Sequence, residues 1–118
     1  MDHLEKQRAE TVVKAHIAWF DRLRKTVETG KSDISPAVAA HDADCEFGRW
    51  VHSELRGLCS PGLFQDIARI HADFHRTAAQ ILALALDGRP AEARAQLAPG
   101  SELGALSKRL VEKVREIA

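Results

Sequence analysis

At 118 residues the chain is long enough to bury a substantial core as one domain and too short for two. Its 17 basic and 17 acidic residues cancel, so no electrostatic footprint points to nucleic acid or to an anionic membrane surface. No run approaches the roughly 18 apolar residues of a membrane-crossing helix, and the charged start MDHLEKQRAE has no signal-peptide core. Cys45 and Cys59 are too few for a disulfide framework. A cytoplasmic location is expected.

Residues 2 to about 29 read as one long helix. Leu4, Val12, Ala15, Trp19, Leu23 and Val27 recur at spacings of three and four, and Gly30 supplies a stop. After the break GKSDISP, Ser35 caps a second helix with Pro36 in its first position, where a missing N–H costs nothing. That helix is expected to run into the fifties and to end at the Gly57, Pro61 and Gly62 cluster. The third, from about Leu63 to Leu86, has the clearest pattern: Phe64, Ile67, His71, Phe74, Ala78, Leu82 and Ala85 share one face, and Asp87-Gly88 closes it. A short helical piece, AEARAQLA, follows. A last helix, capped by Ser101, carries Leu103, Leu106, Leu110, Val114 and Ile117. Strand-like alternation is missing from the pattern, and the loops are short. The expected fold is an all-α antiparallel four-helix bundle over residues 1–118, with the extra segment near the fourth helix.

The histidines break the apolar pattern. His71 and His75, in RIHADFHR, stand one helical turn apart, so both imidazoles project from one face and can share an ion. On a helical wheel His71 falls inside the apolar arc of the third helix and His75 at its edge. His16 falls in the middle of the arc of the first. A buried imidazole without a partner costs about 1–3 kcal/mol, so three core-facing histidines call for a common ligand. Cys45 is a fourth donor. On a continuous second helix it shares a face with Val38, His41, Gly48 and His52, opposite Phe47 and Trp50, and Gly48 would let a neighbouring helix approach closely. Spacing also permits a set built from His41 and Cys45 with His71 and His75. Asp42, Asp44 and Asp73 lie close in sequence to these donors and are candidates to orient imidazoles.

His16-Ile-Ala-Trp19, then Cys45-Glu-Phe-Gly48-Arg-Trp50, then His71-Ala-Asp-Phe-His75 resembles the chemoreceptor zinc-binding (CZB) domain, a bacterial cytoplasmic sensor module. The order and spacing of these boxes carry the likeness, and the tail from ALDGRPAEARAQLA onward extends it over nearly the whole chain. The resemblance implies a four-helix bundle that binds zinc through His16, Cys45, His71 and His75, which favours His16 over His41. Trp19, Asp42, Gly48 and Asp73 then become candidate supporting residues. It also implies a homodimer, an effector of the chemoreceptor or diguanylate cyclase type fused or in trans, and an output that responds to zinc or to oxidation of Cys45.

Three histidines and a thiolate suit zinc, whereas calcium or magnesium would want oxygen donors. Four protein ligands leave no open position for hydrolytic chemistry, and HADFH lacks the glutamate of HExxH peptidases, so an enzyme is not expected. A bundle in which zinc only stabilises the fold is the competing reading. No cyclase signature or long heptad hairpin is present in the sequence, so the chain is expected to be a stand-alone sensor or a module of a longer protein.

Overall fold

Side-chain oxygens close several helix starts, at Ser35 and Ser101 as the sequence suggests and also at Asp2 and Ser60. Asp2 accepts a hydrogen bond from the Glu5 N–H while Glu5 reaches back to the Asp2 N–H, a reciprocal capping box. Ser35, Ser60 and Ser101 cap later helices through the N–H groups of Val38, Leu63 and Gly104. The computed structural model describes residues 1–117, apart from the side chain of Asp44, and all regular structure among them is helical. The helices are α1 (His3–Ile17), α2 (Trp19–Thr29), α3 (Pro36–Ala39), α4 (Glu46–Ser53), α5 (Pro61–Leu86), α6 (Pro90–Ala95) and α7 (Glu102–Arg115). Short 3₁₀ turns lie at Asp42–Asp44 and Leu55–Gly57.

α5 is the hub and touches α2, α3, α4, α6 and α7. Its 26 residues, at about 1.5 Å each, account for most of the 45 Å long axis of the molecule. Around it pack Phe47, Trp50 and Val51 of α4, Val12 and Leu23 from the first two helices, and Leu103, Leu106, Leu110 and Val114 of α7, all buried. Each such side chain contributes about 1.5–3 kcal/mol on burial. No helix among the described residues is long and apolar enough to cross a membrane.

Two helices expected to be continuous are interrupted. The first carries only a turn at Ala18, which keeps right-handed helical angles, donates to the Lys14 carbonyl and accepts from the Arg22 N–H; Ile17, just after His16, closes α1 and Trp19 opens α2. Leu4, placed on the apolar stripe, is instead 74% exposed, although Met1 at the same end packs against the core; the buried face of α1 is formed by Ala9, Val12, Val13 and His16. The second helix breaks more severely. α3 lasts one turn, the chain passes through the 3₁₀ turn, and α4 begins only at Glu46. His41, Asp42 and Cys45 are weak helix formers, and Cys45 adopts extended backbone angles (φ −82°, ψ 162°). The helical-wheel placement of Cys45 opposite Phe47 and Trp50 therefore fails, since no single helix joins Val38 to Gly48.

Candidate metal centre

His71 and His75 project inward from the middle of α5 and are both fully buried, and His16 at the end of α1 is 2% exposed. The three can present one ring nitrogen each with all of these atoms within 4.8 Å of one another. The His16 ring is held by packing: it lies 4.1 Å from the Phe74 ring and 5.3 Å from that of Phe47. Trp19, one turn further on, sets its ring edge-on to His75 at 5.0 Å.

Cys45 lies against two of the three, the histidines of α5, and stands outside the tight group that these two form with His16. Its Sγ lies 3.3 Å from Nε2 of His71 and 3.3 Å from Nε2 of His75. Two donors held 2.0–2.3 Å from one tetrahedral ion stand roughly 3.3–3.6 Å apart, so the spacing suits a shared metal. Cys45 is also the N-cap of α4, where its Sγ accepts the Gly48 N–H at 3.2 Å. The sulfur therefore sits at the positive end of a helix, a position that favours thiolate. Burial pushes the Cys45 thiol up, while the backbone N–H groups of Gly48 and Phe47 pull it down.

A bond from the outer nitrogen fixes how the His75 ring faces. His75 Nδ1 lies 2.9 Å from the Ala39 carbonyl. A carbonyl only accepts, so Nδ1 carries the proton and Nε2 offers its lone pair toward Cys45. On His71 the Asp42 carboxylate stands 3.9 Å from Nδ1, which favours the same tautomer. Among the described residues His16 has no hydrogen-bond partner on either nitrogen, and His71 has none on Nδ1. Burial drives His16 down to about 3, with His75 adding to the effect, and His71 down to about 2, with His75 and His16 adding. His75 is lowered by burial as well, against the opposing influence of Ala39 and Asp42. All three are neutral near pH 7, the form that binds metal.

These residues fit zinc. Orphaned buried nitrogens each cost about 1–3 kcal/mol unless something accepts their lone pair, and a cluster of neutral imidazoles with one thiol is the donor set zinc prefers. Once bound, zinc would hold Cys45 as thiolate and tie the end of α1, the start of α4 and the middle of α5 together.

The other sequence candidates fall elsewhere. His41 is exposed and lies outside the cluster of His16, His71 and His75. Asp73 pairs with Arg76 on the surface, and the side chain of Asp44 lies outside the described residues. Gly48 is required for a different reason from close helix packing. A Cβ there would stand 1.7 Å from the Asp42 carbonyl oxygen, so the close neighbour is the chain's own 3₁₀ turn. Sequence reasoning missed the Ala39 carbonyl, since a backbone acceptor leaves no side-chain signal. The Asp42 carboxylate also stands 4.0 Å from Nε2 of His52.

The family description of the chemoreceptor zinc-binding domain matches residues 16–82, more than half of the chain, from His16 past His75. The chain belongs to the CZB family. Members of this family are regulatory zinc-binding domains found in chemoreceptors and other signalling proteins. The CZB assignment and the proximity of His16, His71, His75 and Cys45 together identify zinc as the cofactor. No curated protein and no solved structure matches the chain.

Proposed function

We propose that this CZB domain is a cytoplasmic sensory module whose zinc site, formed by His16, Cys45, His71 and His75, controls the output of a signalling effector. The observation that carries the ligand set is the position of Cys45 Sγ, 3.3 Å from both α5 histidines. On this reading residues 1–118 act as one domain, an antiparallel four-helix bundle with α6 as the extra segment. It works as a homodimer that feeds a chemoreceptor or a diguanylate cyclase, in the same chain or as a partner. Trp19, Asp42 and Gly48 support the ligands, and Asp73 has no such role.

Cys45 is the reactive ligand. It is partly exposed, whereas the three histidines are buried. Hydrogen peroxide would transfer one oxygen atom to the thiolate: the O–O bond breaks, sulfur loses two electrons, and sulfenic acid and hydroxide result. A sulfenic acid is a poorer metal ligand than thiolate, so oxidation weakens the clamp. With Cys45 in the fourth position no site remains for a metal-bound nucleophile, which favours a regulatory role over hydrolysis.

The test is zinc content, measured by mass, against Cys45 oxidation in wild type and Cys45→Ser. One zinc per chain, lost in step with sulfenate formation and held weakly by Cys45→Ser, is the expected result. Wild-type affinity in Cys45→Ser would remove the ligand set, and zinc retained by fully oxidised protein would remove the sensing role.

A further inference from the structure

A cavity of about 340 Å³ opens beside the metal centre, and both Cys45 and His16 form part of its wall. Its apolar lining includes Trp19 and Phe47, and its basic lining includes Arg22 and Arg49. Arg22 is held in place, with its guanidinium 4.9 Å over the Trp19 ring and an Asp33 carboxylate 3.1 Å away on the exposed side. Glu46, the acidic residue of the wall, stands 3.4 Å from Arg8. The volume matches the lower end of small-molecule sites, which combine apolar walls with a few placed polar groups.

We propose that this cavity admits small organic anions to Cys45. Arg22 and Arg49 select for negative charge, and the Trp19 and Phe47 rings receive the apolar body. The cavity reaches the one candidate ligand that is partly exposed, and its wall holds Cys45 and the buried His16 but neither His71 nor His75, so sulfur is the accessible reactive group for a molecule held there. The proposal rests on the zinc reading only in taking Cys45 as the site's reactive group. It adds which molecules reach that group and which residues choose them.

Two alkylating probes that differ in charge test it. The chain carries Cys59→Ser, so that Cys45 is the single thiol, and zinc is removed with a chelator. The rates of alkylation by iodoacetate and by iodoacetamide are then compared. Both depend on the same thiolate, so their ratio reports charge selection alone. In Arg22→Gln/Arg49→Gln the iodoacetate to iodoacetamide ratio should fall about fivefold at low salt, and added salt should erase the difference from wild type. Val38→Trp, which fills the cavity from an exposed wall position, should slow both probes. An unchanged ratio in the arginine variant, with circular dichroism showing wild-type helicity, would overturn charge selection. Unchanged rates in Val38→Trp would overturn the cavity as the route. Because the ratio is read without metal, its failure leaves zinc binding standing, and zinc binding fails separately if the wild-type chain takes up no zinc.

Discussion

Replacing Gly48 by alanine should disrupt the metal centre without touching a donor atom. The added Cβ would lie 1.7 Å from the Asp42 carbonyl oxygen, 2.8 Å from its carbon and 3.1 Å from the Ala43 Cα. Non-bonded heavy atoms rest about 3.5 Å apart, so the shortfall against the oxygen is roughly 1.8 Å. Only backbone stands in the way, and no flexible side chain can yield. The 3₁₀ turn and the first turn of α4 must separate, which stretches the Gly48 N–H bond to Cys45 Sγ and moves the sulfur from the two histidines. Overpacking of this kind costs about 1–3 kcal/mol, offset by about 0.5–1 kcal/mol from the better helix propensity of alanine. A net loss of about 1–2 kcal/mol corresponds to a drop of roughly 3–10 °C in melting temperature for a chain of this size. Zinc affinity should fall about 10- to 100-fold, as it does when the support around a metal ligand is lost. Thermal melts and a competitive zinc titration measure both effects. Gly62→Ala is the control, since a Cβ there meets nothing within 4 Å and should leave zinc affinity unchanged. Wild-type affinity and stability in Gly48→Ala would refute the reasoning.

Asp42→Ala should weaken zinc binding by about tenfold, because the carboxylate nearest His71 Nδ1 is lost, whereas Asp73→Ala should stay within about twofold of wild type; equal effects would contradict the assignment. Zinc should protect Cys45 from iodoacetamide but leave Cys59 as reactive as in the metal-free chain, which peptide mass analysis resolves. Metal-free protein should lose stability as pH falls from about 6.5, because His16 and His71 are held near 3 and 2 when folded and return to 6.5 on unfolding. Over that window the unfolded chain binds more protons, so each histidine removes up to about 1.4 kcal/mol per pH unit. A melting temperature that stayed level from pH 7 to pH 5 would show that these imidazoles are not buried.

Where a residue acts through its own local geometry, the sequence was informative. Ser35, Ser101, Gly30 and Gly88 end or begin helices because side-chain caps and left-handed glycines act over a few residues. On α5 an uninterrupted period of 3.6 residues placed Ile67, His71, Phe74, Ala78, Leu82 and Ala85 on one buried face. The sequence was misleading where the chain leaves the helix. A wheel drawn from Val38 to His52 assumes continuity, and the 3₁₀ turn removes it, so Cys45 reaches the histidines as a cap rather than from a helix face. Gly48 showed the need for a close neighbour but not which one. The Ala39 carbonyl that orients His75 had no sequence signature at all.

Substitution of cobalt for zinc tests the centre most directly, because a thiolate bound to cobalt absorbs in the near ultraviolet and a tetrahedral site gives strong visible bands. Wild-type protein should bind one cobalt per chain with both features. Cys45→Ser should lose the thiolate band, and His16→Ala should lose the intensity of the tetrahedral bands while keeping it. A thiolate band that persisted in Cys45→Ser, or a spectrum unaffected by His16→Ala, would contradict a centre built from His16, Cys45, His71 and His75.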